Sequence, residues 1–189
     1  MKPIKHRIFL RWAVFAAIWL PVVATGADIR INLDFRSGGI EGNSDILGCE
    51  RCIDVSSAAF DVATGTSAAT GSARDLQVTA PAFSDIRLTK WVDNASADLF
   101  QAAFELRPTS PVIIRYYAVL ETAWVNYMEI ELEDVLVSRF GSTADEGEGP
   151  METLSLHYSS ICLRSREFDK GAPGPWEVAC YDIRQGRKK

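Results

Sequence analysis

Residues 83–105 read FSDIRLTKWVDNASADLFQAAFE. Ile86 and Leu88 alternate with Arg87 and Thr89, the period-two pattern of a half-buried strand. Asp93, Asn94 and Ser96 follow, whose side-chain oxygens suit the orphan amides of a starting helix. Leu99, Phe100, Ala103 and Phe104 then share one helical face by their spacing. The stretch predicts a strand, a tight turn and a short helix over about residues 95–105. An apolar-faced helix on a β scaffold is a common arrangement.

The rest of the chain supplies that scaffold. Ile29, Ile31, Leu33 and Phe35 alternate with polar residues as a first strand, and Ile53–Phe60 reads as a second. Residues 61–82 are rich in Gly, Ala, Ser and Thr and predict a long flexible loop. Val112–Leu120 and Trp124–Val137 are long strand candidates. The alternation of Met128, Ile130 and Leu132 with Glu129, Glu131 and Glu133 slips before Val135, which predicts a bulge near Glu133. Residues 141–150 form an acidic, Gly-rich loop, and Thr153–Phe168 with Trp176–Ile183 predict a closing hairpin. Many strands, one helix and no internal repeat imply a mainly β domain. Closing a sheet removes its edges, so one domain over residues 28–189 built as a small closed β-barrel or sandwich is expected.

The opening string has the form FxDxxxTKxVDxxSxxL, carried by Phe83, Asp85, Thr89, Lys90, Val92, Asp93, Ser96 and Leu99. In that form it resembles the Hcp family, the tube proteins of bacterial type VI secretion. A second block, with Leu132, Glu133, Val135 and Leu136 in LEDVLVS and Pro150, Glu152, Ser155 and Leu156 in the return strand, resembles that family's late hairpin. IRINLDF, IEG and CIDVSS resemble its first two strands. The resemblance runs over roughly residues 29–163, in the family's order. It implies a compact closed β-barrel or sandwich of two sheets with one short helix at its side, no enzymatic activity, and hexameric rings that stack head to tail into a tube carrying small effectors. Residues 61–82 and 141–150 are the expected contact pieces, and both also suit ordinary surface loops.

The two ends add a compartment. Lys2, Lys5, Arg7 and Arg11 precede a 13-residue apolar run, Trp12–Ala24, and then small residues. Residues 1–27 read as a signal peptide with the mature chain starting at Asp28; cleavage after Ala24 and an uncleaved anchor are the alternatives. Thirteen helical residues rise only about 20 Å, short of the ~30 Å hydrocarbon core, so no stable membrane span is expected after cleavage. The whole chain carries a net charge of −5; without the four leader cations, 16 basic face 25 acidic residues, a net of −9. Such a balance argues against nucleic acid as partner. An exported, periplasmic or secreted protein is implied. This departs from the resembled family, whose tubes assemble in the cytoplasm, and it opens an alternative: an exported envelope binding or scaffold protein on the same fold.

Cys49, Cys52, Cys162 and Cys180 are an even set behind a leader, which suggests disulfides. Cys162 with Cys180 and Cys49 with Cys52 are reasonable pairings, and the crossed ones remain open. Redox and zinc readings of Cys49–Cys52 are weaker. A strand pattern follows it, where a thioredoxin-like site opens a helix, and no second knuckle completes a zinc set. His157 is the only histidine past the leader; it sits on a strand with no nucleophile motif beside it, so a surface histidine fits better than a catalytic base. Asp145, Glu146 and Glu148 lack calcium-loop spacing. No catalytic, cofactor or metal set is assigned.

Overall fold

The computed structural model describes residues 28–35, 38–68, 76–120, 123–147, 149–169 and 172–189. The predicted leader, residues 1–27, lies outside them, as does Glu148 of the acidic loop. The strands are β1 (Ile29–Asp34), β2 (Ile53–Val55), β3 (Ser57–Ala59), β4 (Val62–Ala63), β5 (Thr66–Ala68), β6 (Leu76–Val78), β7 (Ala82–Phe83) and β8 (Ile86–Trp91). Helix α1 (Ser96–Glu105) follows, then β9 (Val112–Leu120), β10 (Ala123–Glu133), β11 (Leu136–Thr143), β12 (Met151–His157) and β13 (Ser160–Ser165). β14 (Phe168–Asp169), β15 (Ala172–Pro173), β16 (Glu177–Asp182) and β17 (Arg187–Lys188) end the chain.

Two antiparallel sheets carry the fold. One has seven strands in the order β17-β16-β13-β10-β9-β1-β2, the other four in the order β11-β12-β8-β3. Their facing sides enclose the main core, with Leu33, Ile86, Ile114, Ile130, Leu132, Leu154 and Leu156 almost wholly buried and Leu99 of α1 among them. Each such side chain contributes about 1.5–3 kcal/mol by leaving water. The mainly β reading with one helix therefore holds. Hydrogen bonding does not run unbroken around both sheets among the described residues. At one seam the chain steps from β2 to β3, where the amide of Ser56 donates to the carbonyl of Thr89 at 2.7 Å.

Strand β9 shows how the sequence makes layers. Val112, Ile114 and Tyr116 face the main core, while Tyr117 turns to a second small cluster with Ile46, Cys49 and Cys52. A strand covered on both sides reads as a continuous apolar run, and VIIRYY is that run.

Four expectations are corrected. Residues 61–82 are not simply a loop: among the described residues, β4 pairs with β7 and β5 with β6, which makes a narrow ribbon of Val62–Ala68 against Leu76–Phe83. Backbone pairing needs no large side chains, so a Gly/Ala/Ser/Thr composition hides it. Trp124–Val137 is two strands, because Asp134 at φ +50° turns the chain from the seven-stranded sheet into the four-stranded one. The register shifts lie at Asn126/Met128 and Val137/Arg139, flanking Glu133 instead of at it. Thr153–Phe168 likewise divides, β12 pairing with β8 and β11 while β13 forms the closing hairpin with β16.

Candidate functional site

Strand β8 buries Ile86, Leu88 and Lys90 on one side, since residues two apart share a face. Strand β12 does the same with Glu152, Leu154 and Leu156, and the antiparallel register sets Glu152 opposite Lys90. The Lys90 ammonium lies 2.7 Å from Glu152 Oε2 and 2.8 Å from Asp93 Oδ1, and donates to Ser96 Oγ at 3.2 Å. An ammonium has three donors, and three acceptors meet it. Ser96 Oγ in turn donates to Glu152 Oε2 at 2.9 Å and accepts from the Asp93 amide at 3.0 Å. The Lys90 side chain is 0% exposed and that of Glu152 4%. A buried charge without partners is very costly, so this set is a lock joining strand, turn and helix start.

The turn chemistry differs in detail from expectation. Asp93 Oδ1 accepts from the Ala95 amide at 2.9 Å, which shapes the turn, but Ala95 at the helix cap has no side-chain cap bond. Asn94 donates its side-chain amide to the Gly42 carbonyl at 3.3 Å and so ties the turn to the loop before β2. The helix buries Leu99, with Ala95, Ala102 and Ala103 against the core. Phe100 and Phe104, expected on that packed face, are instead 57% and 63% exposed. Small alanines let the helix sit close to the sheet, and the two phenylalanines flank the contact. Their rings lie 5.5 Å apart edge to face, and Phe100 meets Phe140 of β11 in the same way.

The other motif residues divide between core and seams. Leu132, Val135 and Leu156 are core, and Leu136 is half-buried at the start of β11. Phe83 packs on Tyr181, and Thr89 bonds Ser57 to join β8 with β3. Asp85 accepts from Ser138 Oγ at 2.7 Å and lies 2.9 Å from His157 Nδ1. Burial works to raise the Asp85 carboxyl, yet the bonds from Ser138 and His157 outweigh it and hold that group below its ordinary value. Glu133 pairs with Lys189, Ser155 accepts from Ser138 through its carbonyl, and Val92 is exposed. Of the motif residues, Lys90, Asp93, Ser96 and Glu152 converge on one point; the others spread through the scaffold.

The cysteines close as two local bridges. Cys162 and Cys180 face each other across the β13–β16 ladder and are bonded, with Cα atoms 4.1 Å apart. Cys49 and Cys52 are bonded at a Cα distance of 5.1 Å. These bonds rule out the crossed pairings and a zinc set drawn from all four. Among the described residues, no group of three or more His, Cys, Asp or Glu could share a metal ion. None of the described helices is long and apolar enough to cross a membrane.

Arg115 was not singled out in the sequence. It stands in the apolar run of β9, buried, bonded to Asp34 Oδ2 at 2.8 Å and Glu129 Oε1 at 3.2 Å. Its signal was present: a lone cation inside VIIRYY calls for buried acidic partners.

Two facing sheets, one flanking helix and an internal charge lock define a single-helix β scaffold. Residues 33–164 match the family model described as "Type VI secretion system effector, Hcp". This chain belongs to the Hcp family. Among solved structures, it is similar to Hcp1 from Salmonella typhimurium at TM-score 0.70 and 17% identity, over 85% of this chain and 99% of that one. A structure described as a type six secretion system protein aligns at TM-score 0.75 and 21% identity, covering 87% and 100%. A type VI secretion system effector from Yersinia pestis aligns at 0.61 and 20%, covering 82% and 100%. Identities at that level speak for the fold. No curated protein sequence matches the chain.

Proposed function

We propose that this chain is an exported Hcp-type structural component of type VI secretion that forms six-membered rings, stacks into a tube and carries effectors without catalysing a reaction. One observation carries the reading: family membership over residues 33–164, on a scaffold that spans 99% of the solved Hcp1 chains it aligns with. A closed ring needs two complementary flanks, and an open stack needs two complementary faces. The exposed Phe100 and Phe104 supply an apolar flank of the kind that interfaces use. The ribbon Val62–Phe83 and the loop after Thr143 are the pieces we assign to stacking. The two sheets would then work together as one barrel wall. Residues 1–27 direct export, and the mature chain starts at Asp28.

Electron microscopy of the purified exported protein tests this. Six-fold rings or tubes are expected, and fields of single chains would contradict it. N-terminal sequencing of the same material should begin at or near Asp28, and an intact Met1 would sink the export proposal.

A second reading rests on the two disulfides, which belong to an oxidising compartment. Under it the chain is an exported envelope scaffold on the Hcp fold that forms no tube. Single chains beginning at Asp28 would favour it.

A further inference from the structure

The Cys49–Cys52 bridge differs from Cys162–Cys180 in what faces its sulfurs. Arg115 Nη1 donates toward Cys49 Sγ at 3.4 Å and lies 3.8 Å from Cys52 Sγ. The guanidinium is held there from both sides, by Asp34 of β1 and Glu129 of β10, and Glu129 is itself fixed by Asn126 at 2.6 Å. Both cysteines are buried, with Ile46 and Tyr117 beside them. By contrast, no cation–sulfur contact is found for the Cys162–Cys180 pair among the described residues.

We propose that Cys49–Cys52 is a thiol–disulfide exchange site for small thiols, with Arg115 receiving the thiolate that reduction releases. A thiolate beside a fixed cation is stabilised, and stabilising the reduced form makes a disulfide easier to open. The geometry gives the order of events. An external thiolate attacks Cys52 Sγ, the S–S bond breaks, and its electron pair leaves on Cys49 Sγ, the sulfur nearer Arg115. A second external thiolate attacks the outer sulfur of the mixed disulfide and releases Cys52 as thiolate. The two external thiols gave up two protons on ionising; Cys52 takes one back, Cys49 stays the thiolate beside Arg115 until the pH falls below its midpoint, and the two external thiols end as one disulfide, having supplied two electrons. Burial of both sulfurs restricts the reagent to small thiols. The titratable groups around the pair are Asp34, Arg115, Tyr117 and Glu129 from the packed strands, with Glu50 and Arg51 in its own loop. Asp34 and Glu129 oppose the effect, and Arg115, whose Nη1 is in contact with both sulfurs, outweighs them.

The test equilibrates the purified protein with mixtures of reduced and oxidised dithiothreitol. Free thiols are trapped by alkylation, and the two pairs are read separately by peptide mass spectrometry. Cys49–Cys52 should half-open at a reduced-to-oxidised ratio about tenfold lower than Cys162–Cys180. Arg115→Gln should close that gap and leave Cys162–Cys180 where it was. In the reduced wild type, the pH profile of Cys49 alkylation should have its midpoint below the ordinary thiol value of about 8.5. This profile decides the matter should the variant fail to fold. The proposal is overturned if the two pairs open together, if Cys49–Cys52 is the more resistant, or if the midpoint sits at or above the ordinary value.

Discussion

Lys90 and Glu152 lie 62 residues apart in sequence, and their charged ends meet at 2.7 Å inside the domain, directly across the β8–β12 ladder. Both hold positions that a leucine would fill in an ordinary strand pair. Asp93 and Ser96 complete the set, so the lock fixes the helix start to the sheet. Removing one partner leaves a buried charge unanswered. Lys90→Met and Glu152→Leu should each destabilise the domain by about 3–5 kcal/mol in urea unfolding. The double variant should lose markedly less than the sum, because both charges leave together. Single losses under about 1 kcal/mol, or strict additivity, would show that no lock exists.

The Lys90–Glu152 pair also shows what the sequence could and could not reveal. Period two already put Lys90 in phase with Ile86 and Leu88, and Glu152 in phase with Leu154 and Leu156. What was missing was the pairing of β8 with β12, a long-range fact that no local pattern carries. The helix was legible in extent but not in orientation. The spacing of Leu99, Phe100, Ala103 and Phe104 defines a face, yet the sheet beneath chose the alanine side. The ribbon at 62–83 was hidden because its pairing is made by backbone. Cys162 and Cys180 were legible because a hairpin constrains its own register.

That hairpin bridge should matter for stability. It closes a loop of 18 residues, and chain-entropy reasoning gives about 3 kcal/mol for a loop of this order. Cys162→Ala with Cys180→Ala should lower the urea midpoint accordingly, with a slope as steep or steeper because the unlinked unfolded chain exposes more surface. An unchanged midpoint would mean that the bridge constrains nothing the sheet does not already hold.

Asp85 makes an acid-side prediction. Its carboxyl is held below the ordinary value in the folded state, so the charged form is favoured by folding. The contribution is complete above the unfolded value of about 3.9 and is lost as pH falls through the lower folded value. Asp85→Asn should therefore flatten the stability profile below about pH 4 and change little in its slope at neutral pH. The group is part-exposed, which keeps the effect small. A variant profile parallel to the wild type down to pH 2 would contradict the role given to Ser138 and His157.

The helix flank separates assembly from folding. Phe100 and Phe104 are mostly exposed, so charges there cost the core little. Phe100→Glu with Phe104→Glu should leave the thermal midpoint within a few degrees and reduce self-association at least tenfold in sedimentation. Association that survives both substitutions would move the contact elsewhere on the scaffold.

Whether an exported Hcp-family chain assembles into rings is answered by the native mass of the purified exported protein. Mass photometry across a concentration series should give a dominant species six times the mass of the chain that starts at Asp28. A single-chain mass at every concentration would contradict the account.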